Sequence, residues 1–174
     1  MKRILFLLVL MQLCLATIAQ SSLSVLGVKF GTSMEVAQKY LELKYGKEKV
    51  EKYENDIYVK EFTVAYKNFD WATFRYEPAI KNKKVETSLY FVRLDKSFTS
   101  QYEVNEAKHY WLRLLGEKYG TFSLEENTKG KTRYLYRDDK DAIVIETGHK
   151  YNSGSGYKLS ITYYDLSIQI DEEY

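Results

Sequence analysis

The chain has 174 residues, 26 of them basic and 24 acidic, with 17 tyrosines, two histidines, one cysteine and one proline. With Lys2 and Arg3 set aside, 24 basic residues face 24 acidic ones. That balance argues against a nucleic-acid binder, whose affinity comes largely from neutralising phosphates, and equally against a polybasic membrane patch.

Lys2 and Arg3 form a positive n-region ahead of an apolar run, Ile4 to Leu15, and Thr17-Ile18-Ala19 supplies small residues where signal peptidase reads. The run is short of the about 20 residues a membrane-spanning helix needs. Residues 1–19 are therefore expected to be an export signal. Cleavage after Ala19 would leave a single domain, residues 20–174, in the periplasm or outside the cell. Gln12 and Leu13 precede Cys14 where a lipoprotein signal has small residues, so no lipid anchor is expected. Cys14 leaves with the signal, and the mature domain must be held by its core rather than by disulfides. A domain of this size buries roughly 70% of the surface its unfolded chain exposes, which is enough.

Val25, Leu26, Val28 and Phe30 form an apolar lead-in that Gly31 breaks. Thr32 and Glu35 have the spacing of a capping box, and Met34, Ala37, Tyr40, Leu41 and Tyr45 make a helical stripe that ends at Gly46. After a charged connection, Lys47 to Asp56, the period becomes two. Tyr58, Phe62, Val64 and Tyr66 are set against Lys60, Glu61 and Thr63, as in a half-buried strand. Asn68 to Asp70 is expected to turn the chain into Trp71 to Tyr76. Pro78 and the lysine-rich Lys81 to Lys84 should end that strand before a third, Thr87 to Leu94.

Thr99 to Gly120 holds the clearest helix. Ser100 and Glu103 make a second capping box. At 100° per residue Val104, Ala107, Trp111, Leu114, Leu115 and Tyr119 share one side, with Asn105, Glu106, His109, Arg113 and Glu117 opposite. Gly120 should supply a left-handed stop. A polar loop, Glu125 to Lys131, then leads to strands at Thr132 to Arg137, Ala142 to Thr147 and Tyr157 to Tyr164. The first two are joined by the turn Asp138 to Asp141, and the third follows a Ser/Gly link at residues 153–156. Leu166, Ile168 and Ile170 continue the last alternation.

The expected fold class is α+β, two tandem α-β-β-β units at about residues 25–96 and 97–170, each a helix packed on an antiparallel sheet. Lys44-Tyr45-Gly46 matches Lys118-Tyr119-Gly120, and Ser88 to Asp95 lines up with Lys158 to Asp165, at spacings of 74 and 70 residues. This duplicated plan, with the helix entry Phe30-Gly31-Thr32-Ser33-Met34-Glu35-Val36, resembles the β-lactamase inhibitor proteins and the SmpA/OmlA small outer-membrane assembly lipoproteins. The resemblance implies a binding module. Inhibition of a β-lactamase does not carry over, because the disulfides and lipidated cysteine of those families are missing here.

Catalytic constellations are thin, and no enzyme is expected. No thiol nucleophile survives cleavage. His109 lies opposite the apolar stripe, His149 ends a strand, and neither has metal-ligand spacing. Asp138, Asp139 and Asp141 lack the ligand pattern of a calcium loop and suit a hairpin turn. No phosphate-binding or nucleophile-elbow motif occurs, so no cofactor and no metal are expected. A carboxylate pair assembled in three dimensions stays open. Trp71, Phe74, Tyr76 and Tyr90 are the candidate binding face, with core at one sheet end as the alternative for the Trp71 cluster. The expected partner is another exported or envelope protein, and a small-ligand or glycan site on the same four residues is the second possibility.

Overall fold

The structure is a computed structural model, and it describes residues 23–81, 84–128, 130–149 and 156–167. The export signal, Ile168, Ile170 and most of the Ser/Gly link lie outside the described residues. The elements are β1 (Ser24–Val25), β2 (Val28–Lys29), α1 (Met34–Tyr45), a 3-10 turn (Lys47–Lys49), β3 (Val50–Tyr53), β4 (Asp56–Val64), β5 (Lys67–Lys81), β6 (Lys84–Phe98), α2 (Gln101–Tyr119), β7 (Ser123–Thr128), β8 (Lys131–Arg137), β9 (Asp141–His149) and β10 (Tyr157–Asp165). Among the described residues the fold is α+β, with two helices, a two-stranded β1-β2 ribbon and a large antiparallel sheet of eight strands in the order β3-β4-β5-β6-β10-β9-β8-β7.

Each helix is thus followed by four strands rather than three. The additional ones, β3 and β7, are the sheet's two edges, and lie in segments whose polar composition reads as connection. Both are largely exposed, so neither shows the alternation that marks a half-buried strand. Other boundaries move for local reasons. The turn between β4 and β5 is Ala65-Tyr66, with φ of +47° and +63°, and Asn68 to Asp70 belong to β5. A two-residue hairpin turn needs positive φ at both positions, normally supplied by Asn-Gly, and each non-glycine residue held there costs about 1–2 kcal/mol. Pro78 does not end β5 but pairs with Thr87 inside it. Since β4 begins opposite Arg75, β5 is an edge strand beyond that point, where a missing N–H is tolerated.

The core lies on one side of the sheet. Rows of directly opposed residues run across it: Ile57, Phe74, Val92, Tyr163 and Ile143 form one, and Val59, Ala72, Leu94, Ile161 and Ile145 the next. All ten are buried. Ala37 and Leu41 of α1, and Val104, Trp111 and Leu115 of α2, pack on this face, and Leu23, Val25, Val28 and Phe30 of the lead-in join them. A ladder of aromatic rings ties the layers together. Tyr45 meets Phe62 at 6.1 Å, Phe62 stacks on Phe69 at 5.5 Å, and Trp111 approaches Phe69 at 5.4 Å.

The expected phase fails in two places. In β4 the core side is Ile57 and Val59, not Tyr58, and the alternation shifts at Glu61, whose φ is +46°. In β6 a bulge leaves Tyr90 extra, since Arg75 faces Phe91 while Tyr76 faces Leu89. The alignment of Ser88–Asp95 on Lys158–Asp165 therefore sets buried Val92 and Leu94 against Thr162 and Tyr164, which lie on the opposite face.

The helix caps divide. Ser100 and Glu103 form the expected box: the Ser100 hydroxyl accepts from the Glu103 N–H at 3.2 Å, and the Glu103 carboxylate accepts from the Ser100 N–H at 3.2 Å. For α1 the cap position is Ser33, not Thr32, and no side chain bonds there. Gly46 (φ +97°, ψ 140°) and Gly120 (φ +120°, ψ −166°) end the helices outside the left-handed helical region, in conformations open essentially to glycine alone. Lys108 lies on the apolar side of α2 at 100° per residue and is only 8% exposed. Desolvation lowers its pKa, and its amine donates to Asn105 Oδ1 at 3.2 Å.

Trp111 is 3% exposed and His109 is on the outer side of α2. Trp111→Ala should therefore cost about 3–5 kcal/mol, and His109→Ala less than about half a kcal/mol. Denaturant unfolding of the two variants checks the helix phase, and greater damage from the histidine substitution would invert it.

Candidate functional site

Among the described residues, no element covers the face opposite the helices. Three rows of opposed residues line it. Asp56, Arg75, Phe91, Tyr164 and Ala142 form the first, and Tyr58, Thr73, Arg93, Thr162 and Val144 the second. Lys60, Trp71, Asp95, Ser160, Glu146 and Arg133 form the third.

A charged cluster occupies the centre, bridging β6 and β10. Arg93 donates through Nε to Asp95 Oδ1 at 3.0 Å and through Nη2 to Ser160 Oγ at 2.9 Å, and the Ser160 hydroxyl donates to the same Asp95 oxygen at 2.6 Å. Lys158 reaches Asp95 Oδ2 at 3.1 Å. Towards β7, Lys131 joins Glu126 at 3.1 Å and Glu146 at 3.5 Å. Towards β3, Lys60 pairs with Glu51 and holds its amine 5.3 Å from the Trp71 ring centre. At one end Arg75 grips Asp56 with two parallel bonds of 3.0 and 2.9 Å, and Tyr58 donates to Asp56 Oδ2 at 2.8 Å.

Beside that pair stands an island of three half-buried rings. Tyr90, Phe91 and Tyr164 lie 5.8–5.9 Å apart, and the Arg75 guanidinium sits 5.2 Å from the Phe91 centre. Burial raises the Tyr164 pKa, and the hydrogen bond to Asp56 raises that of Tyr58.

The four candidate residues are divided between the two faces. Trp71, 42% exposed, and the half-buried Tyr90 belong to the uncovered face. Phe74 and Tyr76 are 0% exposed, on the helix side. Desolvation pushes the Tyr76 pKa far up, and its hydroxyl has no hydrogen-bond partner among the described residues. The four therefore do not form one binding face, and a glycan site built from them together does not assemble. Tyr58, Phe91, Tyr164, Arg75 and Arg93 were missed. The apolar neighbours Ile57 and Val59 already place Tyr58 outside, whereas the shift at Tyr90 leaves no sequence signal.

The chemistry of the face is that of charges already answered. The Arg75 hydrogen bond leads in lowering the Asp56 pKa. Asp138 is lowered by the Lys140 and Asp141 N–H groups, which close the expected turn. Burial works against Asp70, but bonds from Lys96 and Ser97 together hold it below the usual range. Among the described residues, the shifted carboxyl groups all move down, the reverse of what a general acid requires. No cluster of three or more His, Cys, Asp or Glu among the described residues could hold a metal, and no helix there is long and apolar enough to cross a membrane. Compared with protein-family models, curated proteins and solved structures, the chain matches none.

Because Asp56 is depressed in the folded state, the stability it lends is complete above the unfolded carboxyl pKa near 3.9 and is lost as pH falls through the lower folded value. Asp56→Asn should cost about 1–2 kcal/mol at pH 7, discounted because Arg75 is half exposed. Between pH 4 and 2 the variant should lose less stability than the parent, as read from urea midpoints. Parallel curves would show that the pair contributes no pH-dependent stability.

Proposed function

We propose that the chain is an exported, non-catalytic binding or assembly module that docks another exported protein on the uncovered face of its sheet. The observation that carries this is the asymmetry of the sheet. Both helices and the lead-in cover one face. The other presents Trp71, Tyr58 and the Tyr90–Phe91–Tyr164 island among charges fixed in pairs. Aromatic rings with arginines set among them are the residue types that dominate protein–protein contacts. Side chains already held by ion pairs lose little freedom on docking.

The duplicated architecture belongs to the same proposal. The strand order reads alike from either edge to the β6–β10 centre, helix then four strands in each half, which supports two related units meeting at their last strands. The resemblance to β-lactamase-inhibitor-like and SmpA/OmlA-like proteins is in keeping with that plan, and export to the periplasm or beyond follows from the leading segment.

A photo-cross-linking amino acid placed at Trp71 or Tyr58 in the exporting cell should yield a discrete adduct with another protein. The same group at His109, on the helix side, should not. Adducts from His109 alone, or from none of the three, would overturn the docking surface.

A further inference from the structure

The ion pairs of the uncovered face do not lie level with it. In the Arg75–Asp56 pair the arginine side chain is 43% exposed and the carboxylate side chain 12%. Arg93 and Lys158 are 39% and 36% exposed, over an Asp95 that is 15% exposed. Glu77, which also acts on Arg75, is half buried. Along the middle of the sheet the paired acids therefore lie beneath their cations, and an approaching surface meets guanidinium and ammonium groups first. Towards the edges the levels even out: Glu126 and Glu146 are nearly as exposed as Lys131, and Glu51 stands further out than Lys60.

One guanidinium on this face is left over. Arg133 stands opposite Glu146 in register, but Glu146 is held by Lys131 at 3.5 Å. The Arg133 side chain makes no ion pair or hydrogen bond among the described residues, and its Nε is buried without an acceptor. A donor left in that state costs free energy that an incoming acceptor on the same guanidinium offsets. Burial is the main influence on the Tyr164 hydroxyl, and Arg133 and Arg93 both act against it. Tyr164 thus lies within reach of two guanidinium groups, in the island where Arg75 sits 5.2 Å from the Phe91 ring centre.

Planar guanidinium groups take carboxylates through paired hydrogen bonds, and complementary charge selects one partner over another. We infer, resting on the docking proposed above, that the partner meets this face with an acidic segment, its carboxylates seated at Arg93 and Arg133 beside Tyr164 and its apolar side chains against Phe91. The formal balance of the chain does not oppose this, because the central acids of the face are sunk and its central cations are not.

Cross-linking from Trp71 in the exporting cell reads this directly. Protein carrying both Arg93→Gln and Arg133→Gln should give about fivefold less adduct than the parent, the loss expected when charges that steer and hold a partner are removed. Lys39→Gln with Lys47→Gln, which removes as much charge from exposed positions on and after α1, should give as much adduct as the parent. The partner peptide in the adduct, read by mass spectrometry, should carry more Asp and Glu than Lys and Arg. Urea midpoints establish that the variants fold. If the double arginine variant does not, Arg133→Gln alone decides, since it breaks no ion pair among the described residues, and it should still lose about half the adduct. Undiminished adduct in the arginine variants, an equal fall in the lysine control, or a basic partner peptide would overturn the acidic segment and leave docking on this face intact. No adduct from the parent would remove the docking itself, and this inference with it.

Discussion

The pairing of β6 with β10 is the contact on which the rest of the structure depends. Eight residues of each strand stand opposite one another, from Phe98 with Tyr157 to Phe91 with Tyr164. Without it the chain would be two four-stranded sheets, each with a hydrogen-bonding edge open at its centre. With it β6 is paired on its β10 side from Phe91 to Phe98, and across that width the free edges move out to the short, polar β3 and β7. The same pairing places α1 and α2 on one side, because Val92 and Leu94 continue the core rows into Tyr163 and Ile161. On the other side it sets Arg93 and Asp95 against Ser160 and Lys158, so that the charged cluster crosses the junction.

The tyrosines illustrate how one residue type serves both faces. Tyr58, Tyr90 and Tyr164 keep their rings half buried on the uncovered side, where Asp56 accepts the Tyr58 hydroxyl. Tyr76 and Tyr163 lie in the core, and burial pushes both pKa values far up. Tyr110 and Tyr45 stand between layers as links in the aromatic ladder. A large apolar body with a polar tip suits each setting, and residue counts alone could not have sorted them.

What was legible in the sequence was whatever depends on local spacing. The cap of α2 and the Asp138 turn rest on hydrogen bonds within three residues, and the buried Trp111 and outward His109 are announced by the spacing of apolar residues along one helix. The hairpin order of the inner strands also came through. What was illegible depends on neighbours distant in sequence. Pro78 sits inside β5 only because β4 has not yet begun. The strands β3 and β7 are defined by their pairing with β4 and β8, and their exposed residues carry no alternation of their own. Glu61 and Tyr90 shift the alternation through backbone geometry that their residue types do not announce. The division of Trp71 from Phe74 and Tyr76, by contrast, is the plain two-residue alternation of β5 and was open to reading in the sequence. Thr32 had the right spacing for a cap, but Ser33 occupies the position where the helix starts.

Native-state hydrogen exchange tests most directly whether the eight strands form one cooperative sheet around that junction. The amides of β6 and β10 should be the slowest in the protein, with a common free energy of opening equal to that of global unfolding. If β10 instead exchanged through a separate, lower-energy opening while β6 stayed protected, the two halves would be independent units merely in contact, and the account of the sheet would be contradicted.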